Sequence, residues 1–194
     1  MDIINKKPYE KFPVSADFST DLSANETITA KVVTCVNTAT GIDSSSEIIA
    51  SSAIETPKIT LVIKAGVAGD KHKVTAKATT TLGNVYEKDF IVTIENGTEG
   101  VFTKQPSNIF LIGMDFTNIP VTDTINTEAT TVIKTSDGTD VTGTLVLSTG
   151  SDGMKIIVGM QNGIDGEEYL ITTKMATTTG YQFQIDAIMV VAEA

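Results

Sequence analysis

From Phe12 onward, apolar and polar residues alternate in short runs, and each run is closed by Gly, Asp, Asn or Ser. An alternation with period two is the signature of a strand with one buried face, whereas a helix repeats its apolar positions every 3.6 residues. The pattern predicts strands over residues 12–18, 27–36, 47–51, 58–63, 72–80 and 85–94. In the fifth, Val74, Ala76 and Ala78 alternate with Thr75, Lys77 and Thr79. The sixth alternates less cleanly, with Val85, Glu87, Asp89 and Ile91 on one face and Tyr86, Lys88, Phe90 and Val92 on the other. No stretch carries the stripe of an amphipathic helix.

The same series is then written again. Gly66-Val67-Ala68-Gly69-Asp70, the strand after it and the closing Thr80-Thr81-Leu82-Gly83 recur as Gly163-Ile164-Asp165-Gly166-Glu167, a second strand and Thr177-Thr178-Thr179-Gly180, offset by 97 residues. Residues 27–94 align with 124–191 without a gap, and 18 of those 68 positions are identical. Among them are Gly41, Gly66, Gly69 and Gly83 at turns, and matched glycines imply matched backbone geometry because glycine alone takes positive φ freely. Upstream the offset is 98, where Asp17-Phe18 matches Asp115-Phe116. The chain is therefore a tandem duplication of a module of roughly 100 residues. Short strands with turn signals about every ten residues indicate an all-β fold of two tandem antiparallel immunoglobulin-like β-sandwich domains. The expected divisions are an N-terminal arm over residues 1–10, a first sandwich over 11–95, a polar linker over 96–103 and a second sandwich over 104–194. The Gly-x-x-Gly stretch is expected to be a hairpin that sets strand register in each module.

Composition excludes several classes. Of the residues, 41% are hydrophobic and 20% charged, and no apolar run of about 18 residues could span a bilayer as a helix, which describes a globular chain without a membrane partner. Met1 to Pro8 shows no apolar core of the secretory kind, so export by a classical signal is not expected. The single cysteine, Cys35, aligns with Val132 and is expected to be a small buried residue. All 14 basic residues are lysines and the net charge is −10, with −2 in residues 1–97 and −8 in residues 98–194. A strongly acidic chain without arginine repels nucleic acid and lacks the fork that reads guanine or phosphate. The charge division suggests that the first module, through its Lys6-Lys7-Pro8 arm, docks on an acidic surface while the second faces solvent or a further partner.

No catalytic set assembles from these residues. The one histidine, His72, aligns with Tyr169 and has no Cys or His neighbour at metal-ligand spacing, so it reads as a strand residue with a polar tip. Asp137-Gly138-Thr139-Asp140, Asp152-Gly153 and Asp165-Gly166-Glu167-Glu168 could fold round a calcium ion. Asp-Gly is equally the preferred hairpin turn, and Asp137 is matched only by Thr40. Neither a catalytic, nor a cofactor-binding, nor a metal-binding residue is assigned, and no cofactor is expected. The strand-borne threonines could hydrogen-bond a glycan, although β-propensity alone accounts for them.

Several of these motifs occur together in a known family. Lys7-Pro8, Asp17-Phe18-Ser19, Leu22, Glu26-Thr27-Ile28, Gly66-Val67-Ala68-Gly69, Val74-Thr75 and Thr80-Thr81-Leu82-Gly83 resemble small virion structural proteins of tailed bacteriophages, including fibre-tail adaptors. The second copy supplies Asp115-Phe116-Thr117, Asp123-Thr124-Ile125, Gly163-Ile164-Asp165-Gly166, Tyr169, Ile171-Thr172 and Thr177-Thr178-Thr179-Gly180. The chain departs from the pattern at His72 of the first copy, where the family has tyrosine, and in carrying two modules. The resemblance implies a non-enzymatic virion protein, made in the host cytoplasm, present in multiple copies, that joins or decorates the neck, tail or fibre region. Its partners would be portal, neck, tail, fibre or capsid proteins. The alternative is a glycan- or receptor-binding surface module.

Overall fold

A computed structural model of the protein describes residues 2–117 and 122–193. The chain divides into two compact units, Met1–Asn96 and Gly97–Ala194. In the first unit, β1 (Asp2–Lys6), β3 (Ile28–Asn37), β6 (Lys71–Thr80) and β7 (Val85–Ile94) form one sheet in the order β1-β7-β6-β3. The second sheet runs β2-β5-β4 and is built of β2 (Phe12–Asp17), β4 (Ile49–Glu55) and β5 (Lys58–Ile63). All pairs are antiparallel except β1 with β7. A one-turn helix, α1 (Ser45–Ile48), carries the chain from one sheet to the other.

The second unit repeats this plan. Strands β8 (Gly100–Lys104), β10 (Ile125–Lys134), β13 (Glu168–Thr177) and β14 (Gln182–Val191) form the larger sheet, ordered β10-β13-β14-β8. The smaller sheet, ordered β11-β12-β9, contains β9 (Phe110–Asp115), β11 (Val146–Asp152) and β12 (Lys155–Met160), and α2 (Thr142–Leu145) connects the two sheets. Each unit is an immunoglobulin-like sandwich. Its core is supplied by the inward positions of both sheets: Ile59, Leu61, Ile63, Val74, Ala76 and Val92 in the first, and Ile156, Val158, Met160, Ile171 and Met189 in the second. Val74, Ala76 and Ala78 face inward as their alternation predicts.

Four expectations are corrected. Residues 1–10 are not an arm, because Asp2–Lys6 is strand β1, in parallel register with Phe90–Ile94. Residues 96–103 are not wholly a linker, because Gly100–Lys104 is the equivalent strand β8, paired with Ala187–Val191. A parallel partner lies some 90 positions away in the chain, so no local turn signal advertises either strand. Glu47 and Ile48, read as strand, belong to α1. Finally, Gly66 to Gly69 is not a hairpin but the crossing from β5 in one sheet to β6 in the other. The hairpin is Thr81-Leu82-Gly83-Asn84, between β6 and β7.

Candidate interaction surfaces

The residues repeated between the units are occupied in holding each sandwich together. Asp17 accepts the Ser19 N–H at 2.8 Å and pairs with Lys58 at 3.4 Å, and Asp115 accepts the Thr117 N–H at 2.9 Å and pairs with Lys155 at 3.2 Å. The residue between each aspartate and its N–H donor, Phe18 in the first unit and Phe116 in the second, is buried. Hydrogen bonds from the side chain and backbone of Thr117, reinforced by Lys155, hold the Asp115 carboxyl down at about 2. The Glu26 carboxylate accepts from the Thr80 hydroxyl, from Asn84 Nδ2 at 2.9 Å and from the Ser23 N–H at 2.9 Å. Asp123 does the same work in the second unit, accepting from the hydroxyls of Thr178 and Thr179 and from the Thr179 N–H. Each acidic residue thus clamps the entry of β3 or β10 to the β6–β7 or β13–β14 turn. Thr75 and Thr172 donate across the sheet to Asp89 and Asp186 at 2.6 and 2.8 Å, which accounts for that conserved pair of positions between the copies.

The crossing loop is pinned from beneath by a buried lysine, Lys6, which the sequence alone places in a docking arm. Lys6 is 2% exposed, and its Nζ donates to the carbonyls of Lys7 and Ala65. Lys104, 98 positions later, donates to the carbonyls of Gln105, Pro106 and Asn162. Burial lowers Lys6 to about 8, against a smaller opposing effect of Glu10, and lowers Lys104 as well. Ala65 and Asn162 both have positive φ, and the glycines after them allow close packing: a Cβ on Gly66 would lie 2.7 Å from Ile94, and one on Gly163 2.7 Å from Val191. The signal was the shared Lys-x-Pro, Lys6 to Pro8 and Lys104 to Pro106, at the upstream offset of 98. Since Lys6 and Lys7 are both buried, the expected docking of a basic arm through them is set aside.

His72 is fully buried, with Nδ1 2.9 Å from Ser44 Oγ and Nε2 3.9 Å from Asp70 Oδ2. Ser44 Oγ in turn donates to Cys35 Sγ at 3.4 Å. Ser, His and Asp side chains are therefore neighbours, a proximity invisible in the spacing of positions 44, 70 and 72. Ser44 and Cys35 lie inside the sandwich, and burial pushes the Cys35 thiol up, away from a reactive thiolate. In the second unit the same positions are Val132, Val141 and Tyr169, and the Tyr169 hydroxyl accepts the Ile164 N–H at 3.1 Å. The two units thus pack one interior site in a polar and an apolar version.

The acidic turns of the second unit act locally. Asp137 accepts from Thr139 N–H, Asp140 from Thr142 N–H and Asp165 from Glu193 N–H. Among the described residues no three His, Cys, Asp or Glu side chains are grouped to hold a metal ion, and no helix is long and apolar enough to cross a membrane.

What remains for recognition are the sheet edges. In each unit β1 or β8 and β3 or β10 border the larger sheet, and β2 or β9 and β4 or β11 border the smaller. The two units differ on the flank between β8 and β9. There a cavity of about 420 Å³ is lined by Phe102, Phe110, Ile112, Met114, Ile185 and Ala187, with Glu99 at its rim. Phe102 and Phe110 meet edge to face, their ring centroids 5.4 Å apart. In the first unit the position of Ala187 holds Phe90, which is buried, and that of Ile185 holds Lys88, whose Nζ pairs with Asp21 at 2.7 Å over the ring of Phe18. Phe12 is accordingly 8% exposed, whereas its counterpart Phe110 is only half-buried.

Architecture and edges define a pair of immunoglobulin-like sandwiches whose open surfaces are strand edges and loops. Residues 6–93, nearly all of the first unit, match the family model described as podophage GP4 fiber-tail adaptor protein gp77. The first unit is thus similar to a phage tail adaptor family, and the second unit repeats its topology. No curated protein sequence matches the chain. Among solved structures, the chain is similar to the titin domains Z1Z2 in complex with telethonin, at 13% identity and a TM-score of 0.33, covering 99% of this chain and 92% of that one. A chimeric titin Z1Z2-Z1Z2 tandem gives 10% identity and a TM-score of 0.37, with 99% and 96% covered.

Proposed function

We propose that this protein is a non-enzymatic structural component of a tailed-phage virion that joins tail and fibre proteins through contacts made by its two sandwiches. The observation that carries this reading is the match of residues 6–93 to the fiber-tail adaptor family. Two features support it. The recurring motif residues are spent on internal clamps, and the cluster of Ser44, His72 and Asp70 lies too deep for a substrate to reach Ser44. Surfaces are left as the means of action, and the units offer different ones: the first nearly neutral, the second at −8. An adaptor needs two unlike faces, and a duplicated sandwich with diverged edges supplies them. Further expectations follow from the same reading: a place at the neck or tail, several copies per particle, and synthesis in the host cytoplasm. The test is a phage carrying a stop codon early in this gene. Particles that assemble heads and tails but lack fibres are expected; complete particles with normal fibre content would overturn the reading.

A further inference from the structure

We infer that the flank of the second unit between β8 and β9 is a docking groove for an extended segment of a partner protein, one that carries a bulky apolar side chain and is flanked by basic residues. The inference deepens the adaptor reading and rests on it only for the source of the segment.

Three observations converge on this groove. The first is its shape. β8 is the outer strand of one sheet and β9 the outer strand of the other, so the cavity opens between two strands that each lack a neighbour on that side. Alternate N–H and C=O groups of β9 point away from β12, and an extended segment laid beside them would continue the sheet by main-chain pairing while its side chains enter the space between the sheets. The second is chemistry. The lining is mainly aromatic and aliphatic, with Phe102, Phe110, Ile112 and Met114 around the space beside the small Ala187, and with the acidic Glu99 and Asp115 also at the cavity. The first unit is an internal control, for the same fold there closes the same flank with Phe90 from within and with the Lys88–Asp21 pair across it. At the paired positions the two copies differ in side chain, Phe90 and Lys88 in the first unit against Ala187 and Ile185 in the second. The third is charge. Glu99 stands at the rim, and the unit carries 12 acidic residues against 4 lysines. Its lysines are engaged within the unit, Lys104 on carbonyls, Lys134 on Glu167 at 2.8 Å and Lys155 on Asp115 among them. The field at the groove therefore favours a cationic segment and repels an acidic one such as a second copy of this unit.

The test uses the full chain, isotopically labelled for amide NMR, and two synthetic heptapeptides, Lys-Val-Thr-Phe-Thr-Val-Lys and the same peptide with Glu at both ends. The lysine-ended peptide is expected to shift resonances of β8, β9 and Ala187 in a saturable way, with the glutamate-ended one at least about tenfold weaker, the equivalent of one favourable charge contact. Ala187→Phe and Ile185→Lys each install the residue that the first unit holds at that position, and each should abolish the shifts while leaving first-unit resonances in place. Two variants guard against one failing to fold. Absence of any shift at millimolar peptide, shifts confined to other strands, or undiminished binding by a folded variant would overturn the groove. Equal binding of both peptides would overturn the basic character of the segment. Failure here removes this contact alone; the adaptor reading stands or falls with the fibre content of particles.

Discussion

Gly66 and Gly69 show how two glycines of one motif can be required for different reasons. Both have positive φ, but a Cβ on Gly69 would meet nothing within 4 Å, whereas one on Gly66 would strike the buried Ile94 and approach Ile48 at 3.2 Å. Gly69→Ala should cost about 1 kcal/mol, the backbone strain alone. Gly66→Ala adds overpacking to the same strain and should cost roughly 2–4 kcal/mol. Chemical denaturation of the two variants checks the order. Lys6→Met preserves the stem but leaves the Ala65 carbonyl without its donor, a loss of roughly 1–3 kcal/mol at neutral pH. Because Lys6 is lowered to about 8 in the fold, the unfolded chain binds more protons between pH 8 and about 10.5, so wild-type stability should rise with pH across that window. Lys6→Met should flatten the rise, as followed by melting temperature. At the acid end, Asp115 is held at about 2, so the stability it supplies is present above about pH 4 and lost as pH falls toward 2. Asp115→Asn should be less stable at neutral pH and lose less on acidification; an unchanged acid slope would contradict the role given to Thr117 and Lys155.

At the scale of elements, the alternating strands were legible because each has one buried face, and β6 reads directly from Val74, Ala76 and Ala78. The copies aligned because turn glycines and clamp residues recur. What could not be read were features whose cause lies far along the chain. Asp2–Lys6 alternates poorly, and its place beside β7 depends on parallel pairing and on Lys6 reaching Ala65. The one-turn helices have no periodicity to detect; Cys35 N–H donates to Ser45 Oγ and Val132 N–H to Thr142 Oγ1, contacts that tie α1 and α2 to the preceding strands. The β8–β9 flank was illegible for a related reason, since Phe90 against Ala187 is an ordinary difference until register places both at one opening. Removal of residues 1–8 should accordingly unfold or strongly destabilise the first unit, as loss of β1 exposes the β7 edge and the carbonyl of Ala65. Native-like circular dichroism and melting of the truncated chain would refute the structural role of β1.

For the whole molecule, duplication and divergence are the organising facts. The shared residues account for the fold twice over, and the differing ones give a first unit with a closed flank and −2 charge and a second with an open flank and −8. The adaptor reading assigns those unlike surfaces to unlike partners in one particle. Quantitative mass spectrometry of purified virions, separated into heads and tail–fibre assemblies, tests it most directly. The account predicts this chain in the tail–fibre fraction at a fixed number of copies relative to the fibre protein. Its absence from washed particles, or its recovery with heads alone, would contradict the account.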